Sequence, residues 1–381
     1  MSKSIKILPL LSPSPGTTRE LVVHRYGTAG NGPKAYLQAA LHSDEYPPLL
    51  VMHHLVRLLD DAANRGDILG EIIAVPVANP IGLGQQLNGY HVGRYEFDAG
   101  GNFNRNWPDF SDGVAKAVAG RLGGDAVENV LIIREALIAE AANMQTRTEF
   151  DSLRKALISL SIDADMVFDL HCDLEAEMHL YASSRHGERV AELGRDMAAT
   201  VVLLEHSPGG TPFDEANAGL WWKLRDKIEG DYPFPDACFA VTVEHRGRAD
   251  VSDDFAAADA RALFAHLQRQ GVIAGDPGPL PEALCEPTPL EGCDVIHAPA
   301  AGIIAYHKKL GDHVEEGEVI ADLIDLMALD PGQARSPIIS RTSGRIFSML
   351  IENLVRPGTV ICKVAGVCPL EHRKDGDLLE D

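Results

Sequence analysis

Leu41-His42-Ser43-Asp44-Glu45 stands where two patterns meet. Residues 35–41 read as a strand, and a helical pattern starts just after, with Pro47 and Pro48 in its first turn. His42 and Glu45 lie three residues apart across that junction, so one imidazole nitrogen and one carboxylate can converge on a single point. Those are two ligands of a zinc site whose usual set is two histidines and a carboxylate with an open water position. Alone, His-x-x-Glu is a common accident. The stretch Phe168-Asp169-Leu170-His171-Cys172-Asp173 changes its weight, because it ends another strand and offers His171 as the third ligand, 126 positions after Glu45.

The chain has 381 residues, 45% of them hydrophobic, enough for a sizeable core and against disorder. Lys and Arg total 34 against 56 Asp and Glu, a net charge of −22 that disfavours nucleic acid and anionic membranes as partners. The same field repels small anions, so an anionic substrate needs local arginines. The six cysteines include no Cys-x-x-Cys and no disulfide framework, which fits a reducing compartment, the cytoplasm. The N-terminal apolar stretch 7–11 is too short for a signal sequence, and no run approaches the length of a membrane span.

In chain order, 21–26 and 35–41 read as strands around a Gly-rich turn, 49–59 as a helix and 72–77 as a buried strand. Residues 81–110 show no period and hold glycines at 82, 84, 89, 93, 100 and 101; a loop of that length inside a domain is usually functional. Helices are expected at 126–144, 148–159 and 252–270, and strands at 166–170, 178–182, 201–204 and 239–243. This alternation predicts an α/β domain with a mixed, mostly parallel sheet. The run Gly275-Asp276-Pro277-Gly278-Pro279-Leu280-Pro281 reads as a linker. Beyond it short strands replace helices, and a near-repeat sets Gly302 and Gly317 against Gly344 and Gly358. The expected plan is a domain over 1–278, a small all-β sandwich over 285–369 and a polar tail over 370–381.

His-x-x-Glu followed at this distance by His resembles the ligand pattern of the zinc carboxypeptidases and their deacylase relatives. With the loop motifs, the chain resembles the succinylglutamate desuccinylase/aspartoacylase family, over about residues 35–250 by motif and elsewhere by domain plan. The resemblance implies a three-layer zinc carboxypeptidase-like fold, and the C-terminal repeat resembles lipoyl/biotinyl carrier domains without their lysine-bearing turn. It implies one Zn2+ per chain held by His42, Glu45 and His171. It also implies a substrate carboxylate gripped by Asn104 and Arg105, a scissile carbonyl polarised by Arg94, and Glu244 as the general base. The chain has His-Ser-Asp-Glu where the family usually has His-Gly-Asn-Glu, and a longer gap between Arg94 and Asn104.

Each residue has a plainer reading. His42 alone is a strand-end histidine, Glu45 complements a helix dipole, Arg105 pairs on a surface and Glu244 caps a strand. Their joint spacing favours the site. Asp169 either accepts a proton from a ligand imidazole or holds a loop, and Cys172 packs in the core. The expected function is zinc-dependent amide hydrolysis of an N-acyl amino acid or a close relative. A metallocarboxypeptidase and a non-catalytic binding protein on the same fold are the alternatives. The expected partner is a small-molecule substrate, and a homo-oligomer is compatible with it.

Overall fold

The structure is a computed structural model that describes residues 3–98, 101–206 and 209–373, so most of the expected tail 370–381 lies outside the described residues. The chain forms two compact units: Met1–His171, Gly210–Thr242 and Val251–Leu280 make the first, and Cys172–Gly209, Val243–Asp250 and Pro281–Asp381 the second.

The first unit is built on β1 (Lys3–Pro9), β2 (Glu20–Gly27), β3 (Lys34–Ala39), β4 (Glu71–Val75) and β5 (Met166–Asp173), whose last two residues pass into the second unit. Their order is β1-β2-β4-β3-β5, followed by the strand Phe239–Gly247. β3 runs parallel to both β4 and β5, with Leu37 opposite Phe168 and Ala39 opposite Leu170. β1 and β2 are antiparallel additions at the edge. Every position of β3, β4 and β5 is buried, as a parallel sheet covered on both faces requires. That is the mixed, mostly parallel α/β arrangement the sequence predicts.

Helix α1 (Pro47–Arg65) starts on two prolines, which lack only N–H groups that a first turn leaves unbonded anyway, and ends at Gly66 in the left-handed region (φ 81°). It packs against the helix Asp253–Arg269. It outruns the expected 49–59 because its last two turns bury Ala62 and Ala63 behind an otherwise charged face. Several elements escaped the sequence reading, the helices Ser111–Val118 and Gly187–Asp196 among them, and two show why. β1 is an exposed edge strand with Ile5 and Ile7 turned outward and none of its residues buried, so its short apolar run marks no core face. The helix Phe213–Lys227 buries every residue from Phe213 to Trp221, which erases the 3.6-residue period. Among the described residues, no helix is long and apolar enough to cross a membrane.

The second unit contains the parallel strands His179–Ser183 and Val201–Glu205, the latter also paired with Thr288–Pro289. It also holds an all-β sandwich. One sheet runs through Cys293–His297, Val360–Gly366, Gly344–Met349 and His313–Val314, the other through Arg335–Ile339, Val319–Ile324, Gly302–Tyr306 and Leu354–Val355. Ile296, Ile304, Ile320, Ile346, Ile361 and Val364 form the core between them. The repeated glycines Gly317 and Gly358 share one left-handed turn conformation (φ 83° and 85°). The segment after β5 joins this sandwich: Ala176 pairs with Ser348, Glu177 N–H donates to Phe347 O at 2.9 Å, and the Glu177 carboxylate accepts from Arg345 Nη2 at 2.7 Å. Glu244 lies in this unit, on the second half of Phe239–Gly247.

A candidate metal centre in the first unit

β3 stops at Ala39, and Ala40 takes a positive φ of 61°, a conformation a non-glycine residue adopts only when its surroundings hold it there. The turn that follows is held by Asn79, whose Nδ2 donates to Leu41 O at 2.9 Å and whose Oδ1 accepts from Gly82 N at 2.8 Å. Ser43, where the family pattern has glycine, is fully buried and packs against two glycines. A Cβ on Gly82 would lie 2.5 Å from Ser43 Oγ, and one on Gly93 2.3 Å from it. The loop thus makes room for the hydroxyl, and the turn delivers His42 and Glu45 to one point.

His42, Glu45 and His171 form a buried group whose candidate ligand atoms all lie within 4.8 Å of one another, and it could hold a metal ion. His42 Nδ1 stands 2.9 Å from Glu45 Oε1, and His171 Nδ1 2.8 Å from Glu45 Oε2. The opposite nitrogens face outer acceptors: His42 Nε2 meets Asn102 Oδ1 at 2.8 Å and His171 Nε2 meets Asp169 Oδ2 at 2.9 Å. With a ring hydrogen on Nε2 facing its outer acceptor, each imidazole turns Nδ1 to Glu45 and leaves that nitrogen available to a cation at the shared point. The charges agree. Burial by itself would raise the Glu45 pKa, yet the flanking imidazoles hold it well below the usual carboxylate range. Burial would lower His171, but Asp169 and Glu45 draw it well above the ordinary histidine value. His42 is lowered by burial and by the Arg94 guanidinium. Two buried carboxylates, Glu45 and Asp169, want positive charge here, and the residues fit a divalent metal.

The supports reach back into the sheet. Tyr36 Oη donates to Gln38 Oε1 at 2.8 Å, and Gln38 Nε2 to Asp169 Oδ1 at 2.9 Å, so alternate residues of β3 hold the carboxylate that faces His171. Asp214, at the start of the helix Phe213–Lys227, sits in the field of Asp169 and His171; burial and then Asp169 push its carboxyl up to about 7. The sequence flagged Asp169 by its two-residue offset from His171. Gln38 and Asn102 carried no signal, since Asn102 meets His42 across 60 positions.

The other expected residues are distributed as follows. Arg94 lies beside the cluster, with Nη1 3.4 Å from both Glu45 Oε1 and His42 Nδ1. Asn104 is buried, its Oδ1 accepting from Phe213 N at 2.8 Å and its Nδ2 3.4 Å from Asp169 Oδ2. Arg105 donates from Nη1 to Asn104 O at 2.9 Å. Arg154 lies over the Trp107 and Phe150 rings and donates to the carbonyls of Arg105 and Asn106, which stiffens the loop from below. Glu244 is described with the second unit, where its Oε2 is buried.

Residues 31–128 match the model of the succinylglutamate desuccinylase/aspartoacylase catalytic domain. The chain carries the fold and the catalytic-domain signature of that family. A family protein from Shewanella amazonensis is similar at 26% identity and a TM-score of 0.81, over 95% of this chain and 98% of that one. A second, from Shewanella frigidimarina, shares the fold at 23% identity and a TM-score of 0.83, over 96% and 97%. The ectoine utilization protein EutE (DoeB) of Ruegeria pomeroyi shares it at 19% identity and a TM-score of 0.66, over 96% and 95%. No curated protein matches the chain. The family's names are those of deacylases, and the group His42, Glu45 and His171 could hold a metal ion.

Proposed function

We propose that this protein is a zinc-dependent amidohydrolase that removes an acyl group from an N-acyl amino acid or a related small carboxylated amide. The observation that carries the proposal is the buried His42–Glu45–His171 group with Asn102 and Asp169 behind its imidazoles. Held by these three side chains, one Zn2+ per chain would supply Lewis acidity and lower the pKa of water from 15.7 towards ~7. Asn102 and Asp169 keep both imidazoles in the tautomer that presents Nδ1. Glu244 accepts a proton as water adds to the amide carbonyl and returns it to the leaving amine. The Arg94 guanidinium faces the oxygen on which charge develops. Arg105 holds the substrate carboxylate with its planar fork, and Asn104 orders the loop that carries it. In this reading residues 1–278 supply the chemistry, and the lipoyl-like sandwich over 285–369 is a structural or lid module.

A panel of N-acyl amino acids, their amide analogues and short peptides, assayed with zinc, tests the reading. Acids are expected to exceed their matched amides in kcat/KM by ~2–5 kcal/mol of transition-state binding, because an amide leaves Arg105 desolvated without its anion. Arg105→Ala should lose most activity on the acid and nearly erase that difference. Arg105→Lys should restore only part of it, since an ammonium offers no fork. Equal rates for acid and amide in the wild type would remove Arg105 as the clamp. Turnover of peptides alone would make the protein a metallocarboxypeptidase, and absence of both zinc and turnover a binding protein.

A further inference from the structure

We infer that Lys363, a side chain of the C-terminal sandwich, is a positioning residue for the proposed hydrolysis: it pins Asp173 and, through the segment that follows, the end of the strand that carries Glu244. The inference rests on the reading of Glu244 given above.

Lys363 is 3% exposed on the strand Val360–Gly366, among Ile361, Cys362 and Val364. Its Nζ donates to Asp173 Oδ2 at 2.8 Å, and the other oxygen, Oδ1, accepts from Leu174 N at 2.7 Å. Asp173 ends β5, two residues beyond His171. Leu174 O then accepts from Arg248 N at 2.9 Å, and a Cβ on Gly247 would come within 3.0 Å of both Glu175 Cα and Leu174 O. Gly247 ends the strand that bears Glu244 three residues earlier. On its other side the same segment is laddered to the sandwich, Ala176 with Ser348 and Glu175 with Met349. The path from ammonium to Glu244 is thus a run of backbone and side-chain contacts inside one unit.

An ion pair this deep is a poor way to gain stability. Desolvation consumes most of the attraction, and apolar side chains of similar volume commonly do as well or better. What a buried pair supplies that apolar packing does not is one fixed geometry, and an error of ~1 Å in placing a catalytic group can cost ~10²-fold in rate.

The test compares Lys363→Met, the double variant Asp173→Asn/Lys363→Met, and Lys363→Arg with the wild-type full chain. Lys363→Met alone should lose stability, because it strands the Asp173 charge. The double variant should recover the wild-type Tm and zinc content, yet lose ~10–100-fold in kcat with KM changed less than ~3-fold. Lys363→Arg, which keeps the charge and alters the reach, should show a smaller kcat loss at wild-type Tm and decides the matter if the double variant does not fold. Wild-type kcat in whichever of these two variants folds with its zinc would reduce the pair to a structural one and overturn the inference. Amide hydrogen exchange over residues 243–248 reads the same placement without turnover: faster exchange in the double variant supports the inference, and unchanged exchange overturns it. A wild-type chain that hydrolyses no member of the panel overturns the functional reading instead and leaves the exchange result to stand alone.

Discussion

Glu244→Gln is expected to keep its zinc and its fold and to lose ~10²–10⁴ in kcat, a barrier increase of ~3–5 kcal/mol. The amide is nearly isosteric with the carboxylate, so packing along Phe239–Gly247 survives while the proton acceptor is removed. KM should change little, because the substitution touches the transfer of a proton and not the clamp at Arg105. Steady-state kinetics with metal analysis of the same preparation checks it. Near-native turnover would place the base elsewhere. Glu177 is occupied by Arg345, so Glu205, which is buried, and Glu175, which is exposed, would be tested next.

His42→Ala and His171→Ala are each expected to reduce bound zinc from about one equivalent per chain to near zero and to abolish turnover. Each removes one of the three proposed ligands, and it also takes one donor from a buried outer acceptor, Asn102 Oδ1 or Asp169 Oδ2. Glu45→Ala should retain a weak site, since two imidazoles still converge. Asp169→Asn should be milder, with ~10–100-fold weaker zinc binding, because the ligand remains while its orienting carboxylate is lost. Chelator competition gives this ranking directly. Full zinc occupancy in all three ligand variants would sink the metal site, and with it the hydrolase.

The local pattern was enough for a good part of the molecule. The grouping of His42, Glu45 and His171 was legible because side chains at strand ends obey short-range geometry: a three-residue step across a strand–helix junction, and one position at the end of a neighbouring strand. The buried strands of the sheet were legible because burial on both faces forces apolar runs. The sandwich was legible in part through glycines that recur where the backbone needs a positive φ.

Other features only the tertiary structure decided. Asn102 behind His42, and Gln38 behind Asp169, are polar side chains whose partners lie 60 and 131 positions away, and a hydrogen bond leaves no trace in residue spacing. The helix Phe213–Lys227, buried throughout from Phe213 to Trp221, and the exposed edge strand β1 were hidden for opposite reasons, since the one has no solvent-facing side over that stretch and the other no buried face. The partition of the chain into two units was hidden too. It sets Glu244 and Asp173 with the C-terminal sandwich, because a unit is defined by which segments bury surface against each other, and that is a property of long-range packing that no local pattern encodes.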